Sequence, residues 1–490
     1  MARGTAANWF QAVIGVSGVV GLAFSAAPPR LAAQAVIGEI PTASQTIAGV
    51  GDVNGDGHAD IVAGLYSVAA GAGVVRIYSG ADGSVLHEWG GDVPGMYLCD
   101  RVDSVDDADG DGLDDVLAGA GNADVYGHDA GLVRLYSSGT GALLGEIPGL
   151  AADDHFGAVI AGVGDLDGDG SGDFAGGYFS GTGSGGVPGA GYARFISGAD
   201  GHEFAQVHGG GVGYSLSPAG DFHNDGTPDV AVGARFEFGT THILVYSGAW
   251  IVHGTPPAVL LDYSDGDVLW SGAADSIGDL DQDGWDDLLV GTPGLGQDCF
   301  PPPCPRGGWR VLSGQDHSVL SSWTGPGDLY YGARVAVADD LDQDGFRDFL
   351  VAGEAFLLPA HVLGFSGRTG ALLYSCGDSS SSLAFGAGLA SLGDVNADGW
   401  PDWAVSGGGA IVLYSPAGIW NDLGHGLPGT MGVPTLSGAG LLLGSDAMSV
   451  TLAGTPPHQP FVLVIGLSAV NLPFHGGVFV PDAGLLVVDV

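Results

Sequence analysis

The chain of 490 residues has almost no positive charge. It contains 12 basic residues, none of them Lys, against 56 Asp and Glu residues, and its formal net charge is −44 at pH 7. A surface that binds nucleic acid needs a basic stripe that neutralises phosphates. The lack of one excludes nucleic acid as a partner. Because 45% of the residues are hydrophobic, the chain can nevertheless form a sizeable core.

Long apolar runs are also missing beyond the N-terminus. No stretch after residue 35 approaches the roughly 20 apolar residues that span a bilayer. Arg3 precedes a mostly apolar segment at 9–27, and Ala33 and Ala35 form an A-x-A cleavage pattern. We interpret residues 1–35 as a cleaved signal peptide rather than an uncleaved membrane anchor, because the segment is rich in Gly and Ser. The protein is expected to be exported, as a secreted or cell-surface protein with no transmembrane span after signal removal.

Cysteine is scarce, with four in the chain. That number fits an exported protein but is too small for a disulfide-dense scaffold. The stretch CFPPPC predicts a local bridge between Cys299 and Cys304. The spacing of Cys99 and Cys376 does not show whether they pair, and it is equally compatible with two free, buried thiols.

Glycine and aspartate are abundant, and they form an internal repeat. Chance does not place seven nine-residue patterns at starts separated by 54 to 61 residues. The copies are DVNGDGHAD (52–60), DADGDGLDD (107–115), DLDGDGSGD (165–173), DFHNDGTPD (221–229), DLDQDGWDD (279–287), DLDQDGFRD (340–348) and DVNADGWPD (394–402).

Each copy lies between short apolar stretches that are typical of strands. One such stretch precedes the loop, a four-residue run ending in Gly follows it, and two further strands come next, as in LVRLYSS (132–138) and GTGALLGEI (139–147). Four strands per unit and seven units predict an all-β fold, a seven-bladed β-propeller at residues 36–418. The seventh unit lacks its fourth strand, and VIGEIP (36–41) nearly copies LLGEIP (143–148). The N-terminal strand is therefore expected to close the ring as the outer strand of the last blade.

The loops have the composition of a calcium site. In D-x-[DN]-x-D-G-x-x-D, alternate side chains direct oxygens to one centre, and the Gly permits the bend. Carboxylates about 4 Å apart repel one another by roughly 1 kcal/mol in water and more in protein, and a hard cation such as Ca²⁺ removes that repulsion. In the third copy we assign Asp165, Asp167, Asp169 and Asp173 as side-chain ligands, and the carbonyl of Ser171 as a further ligand.

Two other interpretations of the loops fit the sequence less well. An EF-hand needs a bidentate Glu at position twelve, where this chain has Ala63, Ala118, Gly176, Val232, Val290, Val351 and Val405. These side chains cannot coordinate, so the EF-hand is excluded. The other alternative, Asp-rich turns without a metal, is disfavoured because the pattern recurs seven times.

The combined pattern resembles the FG-GAP repeat, the blade unit of the integrin α-subunit propeller. The stretches HFGAVIAGVGDLDGDGSGDFAGG (155–177) and AFGAGLASLGDVNADGWPDWAVSGG (384–408) carry this resemblance, which covers residues 36–416. It implies Ca²⁺ in the loop between the first and second strands on the lower face, and partners on the upper face. Carried to the other regular copies, it implies ligands at Asp52, Asn54, Asp56 and Asp60; Asp107, Asp109, Asp111 and Asp115; Asp279, Asp281, Asp283 and Asp287; Asp340, Asp342, Asp344 and Asp348; and Asp394, Asn396, Asp398 and Asp402.

The fourth copy departs from the pattern. His223 replaces the second oxygen ligand, which leaves Asp221, Asp225 and Asp229. A calcium site there is expected to be weak or absent.

For function, the sequence favours a non-catalytic recognition or adhesion module stabilised by Ca²⁺, which binds an extracellular protein or glycan through the face opposite the calcium loops. Upper-face loops contain the aromatic candidates Tyr178, Phe179, Phe236 and Phe238. The alternative is an extracellular polysaccharide lyase or hydrolase. The sequence has no G-x-S-x-G and no H-E-x-x-H motif, and Asp153, Asp154 and His155 are interpreted as a solvated turn. No catalytic residue is therefore predicted.

The repeat ends before the last part of the chain. Residues 419–490 contain short apolar stretches between Gly and Pro turns, and they predict a small β-domain for surface association or sorting.

Overall fold

The computed structural model divides the chain into two compact units, one of Gln34–Pro416 and one that combines Met1–Ala33 with Ala417–Val490. The residues it describes are 12–14, 19–22, 35–42, 44, 46–65, 71–179, 190–235, 241–247, 259–263, 273–293, 307–325, 330–354, 361–377, 385–407, 409–416, 435–439, 448–453, 462–465, 469–474, 477–481 and 486–489. These residues contain no α-helix.

Seven four-stranded antiparallel sheets make up the described part of the larger unit, and they form a seven-bladed β-propeller. The predicted fold is confirmed. Blades 1 to 4 contain, in chain order, Thr46–Gly49, Ile61–Leu65, Val74–Tyr78 and Val85–Gly90; Arg101–Val105, Asp115–Ala120, Leu132–Tyr136 and Leu143–Pro148; Val159–Gly164, Asp173–Phe179, Ala190–Ile196 and Glu203–Gly210; and Val212–Gly220, Asp229–Arg235, Thr241–Ser247 and Val259–Tyr263.

The remaining blades follow the same order, and the chain's N-terminal segment completes the last one. Blades 5 to 7 contain Ala274–Gly278, Asp287–Thr292, Gly308–Leu312 and Val319–Thr324; Tyr330–Ala338, Asp348–Glu354, His361–Phe365 and Leu372–Gly377; and Gly388–Gly393, Asp402–Gly407, Ala410–Ser415 and Ala35–Ile40.

Closure of the ring agrees with the sequence prediction. Strand Ala35–Ile40 pairs antiparallel with Ala410–Ser415, with Val36 opposite Tyr414 and Ile40 opposite Ile411. Ile40 is buried in a cluster with Ile411. The pairing covers the edge that the third strand of blade 7 would otherwise expose.

The position of a strand within its blade explains its composition. The second strands Ile61–Leu65 and Asp287–Thr292 are buried along their whole length, because both faces of each sheet pack against neighbouring blades. They accordingly have continuous apolar runs instead of alternation. The fourth strands lie at the rim, and no residue of Val85–Gly90 or Val319–Thr324 is buried.

Side chains link the innermost strands of adjacent blades, which share no backbone ladder. Oδ2 of Asp103 accepts a hydrogen bond from the amide of Gly162 (3.2 Å), and Oδ2 of Asp275 accepts one from Val337 (2.9 Å). Burial raises the pKa of Asp103 to about 7 and that of Asp275 to about 6. The two aspartates thus join blade 2 to blade 3 and blade 5 to blade 6.

The smaller unit is also built from strands. Ala12–Ile14, Val19–Leu22, Met448–Ala453 and Thr435–Ala439 form one sheet in that order, and two further pairs are Val462–Ile465 with Leu486–Asp489 and Ala469–Phe474 with Gly477–Pro481. Cleavage after residue 35 and a separate domain at 419–490 stay predictions. Among the described residues, no helix has the length and apolar character to cross a membrane.

Candidate metal centre

Each aspartate loop connects the first strand of a blade to the second. Its last aspartate stands at the start of the second strand, where the chain enters the core. This side chain is 0% exposed in all seven copies. The seven residues are Asp60, Asp115, Asp173, Asp229, Asp287, Asp348 and Asp402.

The buried aspartate ties its loop to a turn further along the chain. Oδ2 of Asp173 accepts hydrogen bonds from the amides of Leu166 (2.8 Å) and Asp167 (3.1 Å). Its Oδ1 accepts one from Gly198 (3.2 Å), which follows the third strand. Asp60, Asp287 and Asp348 do the same. Each accepts a hydrogen bond from an amide of its own loop and one from a later glycine, which is Gly80, Gly314 and Gly367, respectively. In blade 7 the corresponding residue is Pro416, which has no N–H to donate.

The first aspartate shapes the turn itself. Oδ1 of Asp165 accepts hydrogen bonds from the amides of Gly168 (2.7 Å) and Asp169 (3.1 Å), and its Oδ2 accepts one from Gly170 (3.0 Å). The glycine at position six has φ between 86° and 93° in every copy. Because that region disfavours L side chains, the glycine is needed for its backbone conformation.

Position four is a second left-handed position, which the sequence pattern does not reveal. Three copies have Gly there, but Gln282 (φ 63°), Gln343 (φ 58°) and Ala397 (φ 58°) adopt the same conformation with a side chain, as does Asn224 in the fourth copy (φ 52°). The surrounding hydrogen bonds hold these residues in a conformation that is uncommon for them.

The structure brings predicted ligands together in several loops, and three of them share one arrangement. One carboxylate oxygen from each of the first, second and last aspartates lies within 4.8 Å of the others in Asp107, Asp109 and Asp115; in Asp165, Asp167 and Asp173; and in Asp279, Asp281 and Asp287. The third aspartate of a loop is not in these groups. In Asp169, Oδ1 accepts a hydrogen bond from the amide of Ser171 (2.8 Å).

Asparagine takes the place of the second aspartate in two loops without changing their geometry. Oδ1 of Asn54 accepts a hydrogen bond from the amide of Asp56 (2.9 Å), and Asn396 does the same with Asp398 (2.9 Å). Asp167 makes the equivalent bond with Asp169 (3.1 Å). An amide oxygen and a carboxylate oxygen are therefore interchangeable at this position.

The buried aspartates carry a high electrostatic cost. Burial, with a contribution from neighbouring aspartates, raises the pKa of Asp173 and Asp348 to about 7 and the pKa of Asp115 and Asp287 to about 6, although backbone N–H groups lower it. A bound divalent cation would favour the charged forms. Converging oxygens on a flexible turn are the donor set of Ca²⁺, so the six regular loops fit this ion.

The fourth loop has a different centre. Nδ1 of His223 lies 2.8 Å from Oδ2 of Asp229, and its Nε2 lies 2.7 Å from Oδ2 of Asp225. Burial lowers the pKa of His223, but the hydrogen bond to Asp229 and the charges of the neighbouring aspartates outweigh it, so the pKa is raised overall. Nitrogen here stands where six loops have oxygen.

Comparisons with known proteins find integrin α-subunits. Integrin alpha-V of Gallus gallus is 31% identical over 219 residues, which are 40% of this chain and 20% of that protein. Integrin alpha-5 of Xenopus laevis is 31% identical over 221 residues, 41% of this chain and 20% of that protein. This chain carries an integrin-α-like FG-GAP β-propeller. It matches only about a fifth of the length of these relatives.

No protein-family model matches the chain. Among solved structures, the crystal structure of BBS1N in complex with ARL6DN, soaked with lead, aligns with 80% of this chain and 99% of that chain, with a TM-score of 0.49 and 10% sequence identity.

A second group of acids and histidine lies at the other end of the FG-GAP blades. Asp124, His128 and Asp129 offer ligand atoms within 4.8 Å of one another. Nδ1 of His128 also lies 2.8 Å from Oδ1 of Asp153. Sequence reasoning missed this group, because it has no counterpart in the other repeats and its last member comes from a different loop.

The predicted solvated turn at 153–155 is exposed only in part. Asp153 is exposed, whereas Asp154 is buried and accepts a hydrogen bond from the amide of Leu150 (2.7 Å). The ring of His155 packs against Tyr178, with centroids 4.5 Å apart. Tyr178 is therefore half-buried by a neighbouring loop, while the side chain of Phe179 and all of Phe236, Phe238, Cys299 and Cys304 lie outside the described residues.

The other two cysteines are free thiols. Cys99 is buried and Cys376 is half-buried. Burial raises the pKa of both to about 12, so neither thiol is reactive at neutral pH.

Proposed function

We propose that this protein is an exported recognition or adhesion module whose FG-GAP ring is stabilised by Ca²⁺ in its aspartate loops. The observation that carries the proposal is the convergence of carboxylates in these loops, which Asp107, Asp109 and Asp115 show. The likeness to integrin α-subunits supports it. Export by residues 1–35 and binding of an extracellular protein or glycan belong to the same proposal.

In this function the loops hold the ring together. A bound Ca²⁺ supplies positive charge to carboxylates that otherwise repel one another. The protein's own contribution is the buried aspartate, such as Asp173, which connects the loop to the turn at Gly198. Filling the loop therefore stabilises the contact between the first and last turns of a blade.

Recognition is assigned to the opposite ends of the strands. Second strands start at the calcium loops, so the connections from second to third strands lie at the far end. In blade 2 this connection exposes Val125 and Tyr126, with 45% and 51% of their surfaces accessible. The hydroxyl of Tyr126 donates a hydrogen bond to Oε1 of Glu146 (2.6 Å), which orients the ring. An oriented, exposed Tyr is a common anchor in interfaces.

The proposal is tested by binding to arrays of extracellular-matrix proteins and glycans, with Ca²⁺ and with EDTA. We expect calcium-dependent binding to at least one probe, and Tyr126→Ala to weaken it roughly tenfold. Val85→Ala is the matched control, because Val85 is 46% exposed on an outer strand and away from this face. That variant should bind normally.

A parallel assay addresses the enzymatic alternative. Polysaccharides are incubated with the protein, and reducing ends and unsaturated products are measured. Release of either product would replace the recognition function with a lyase or hydrolase. Binding that is equal in EDTA would contradict the role given to calcium.

A further inference from the structure

The fourth loop keeps the backbone of a cation loop. Oδ1 of Asp221 accepts a hydrogen bond from the amide of Asp225 (2.8 Å), and its Oδ2 accepts one from Gly226 (2.9 Å). Gly226 has φ 88°, as its counterparts do. The fourth loop therefore has the same backbone conformation as the other six, and it differs from them in the side chain at its centre.

The side chain of the third residue accounts for that difference. In the six regular loops, the oxygen at this position accepts a hydrogen bond from the amide two residues on, at 2.9 to 3.2 Å, as in Asn54, Asp109, Asp167, Asp281, Asp342 and Asn396. His223 instead directs its two ring nitrogens at carboxylate oxygens of Asp225 and Asp229, at 2.7 and 2.8 Å. These two residues are the ones that correspond to the third and last ligands elsewhere.

We propose that the imidazole of His223 occupies the cation position of the fourth loop, so that blade 4 is held by an internal histidine and the ring has six calcium sites. The inference rests on the proposed function and specifies which loops serve it. Ca²⁺ requires six to eight oxygen ligands. In this loop the second ligand is a nitrogen, and the ring stands between two of the three remaining carboxylates.

The other loops show which residues can replace His223 at this position. Asn stands at the equivalent position in the first and seventh loops, and Asp stands there in the other four. His223→Asn and His223→Asp therefore convert the fourth loop into patterns that this chain already contains. Two variants are used so that a folding defect in one does not decide the result.

The experiment counts calcium ions bound by the metal-stripped full chain in equilibrium dialysis. We expect six per chain for the parent protein and seven for His223→Asn and His223→Asp. In the parent background, Asp221→Ala should leave the count at six. The matched control Asp165→Ala, at the same position of a regular loop, should lower it to five.

The outcomes separate this inference from the proposed function. Seven ions in the parent protein, with one lost in Asp221→Ala, would overturn the role of His223 and leave the calcium-stabilised ring intact. Six ions in both His223 variants would also overturn it, because some other feature would then exclude the ion. No bound calcium in the parent protein would overturn the proposed function and the inference together.

Discussion

At the residue scale, the last aspartate of each loop has two roles, and the sequence pattern predicts only one of them. The nine-residue pattern predicts Asp173 as a ligand, since it is spaced with Asp165 and Asp167. It does not predict that the same carboxylate binds the amide of Gly198, which lies 25 residues on. Nor does it flag Gln282 or Ala397 as left-handed residues, because nothing in their side chains indicates a positive φ.

The burial of these aspartates leads to a pH prediction for the calcium-free protein. The pKa of Asp173 and Asp348 is about 7 in the fold, against 3.8 for an ordinary aspartate. The folded state therefore binds more protons than the unfolded state between these values, and stability falls as pH rises through the interval. We expect the melting temperature in EDTA to rise as pH is lowered from about 8 to about 5.

The matched measurement is the same titration with saturating Ca²⁺. There protons compete with the ion for the carboxylates, so acidification should lower the melting temperature. If the calcium-free protein loses stability on acidification over this interval, the raised pKa values of the buried aspartates are contradicted.

At the element scale, the type of each strand is predictable from its local pattern, whereas its partner depends on the ring. VIGEIP resembles the fourth strand LLGEIP, and this likeness is enough to predict an outer strand at the N-terminus. The register, with Ile40 opposite Ile411, is settled by packing. A shift by one residue would move Ile40 out of its cluster and bury Glu39 in its place.

Ring closure can be tested with two substitutions on this strand. Ile40 is 6% exposed and Val36 is 59% exposed. We expect Ile40→Ala to lower the free energy of unfolding by about 2–5 kcal/mol, because it leaves a cavity in the last blade. Val36→Ala should change it by less than about 0.5 kcal/mol. Chemical denaturation of both variants measures these values, and equal effects would mean that the strand does not close the ring.

At the scale of the whole molecule, the blades form one ring through contacts between segments far apart in the chain. Asp103 and Asp275 connect neighbouring inner strands by accepting amide hydrogen bonds 59 and 62 residues away. The aspartate loops of neighbouring blades also contact one another: the amide of Asp221 donates a hydrogen bond to Oδ2 of Asp286 (2.9 Å), and the amide of Gly172 donates one to the carbonyl of Asp107 (3.2 Å). Loss of the ions should therefore weaken every regular blade and, through these inner contacts, the ring as a unit.

This arrangement predicts a calcium-dependent melting transition. With free ion at about ten times Kd, each site adds about 1.4 kcal/mol. For six sites, removal by EDTA should lower the melting temperature by on the order of 10 °C, and added Ca²⁺ should restore it. Mg²⁺ serves as a control and should restore less, because it requires stricter octahedral geometry. Superimposable curves in Ca²⁺ and EDTA would show that the loops are empty in the folded protein.

The sequence by itself determined the seven-fold period, the four strands per blade and the turn chemistry of the loops, because these depend on hydrogen bonds and alternation within a few residues. Tertiary structure decided which groups are buried and which meet. It placed the last aspartate of every loop beneath a later turn, brought His128 to Asp153, and set the ring of His223 between Asp225 and Asp229. Side-chain direction and burial arise from packing between blades, and no local pattern contains that information.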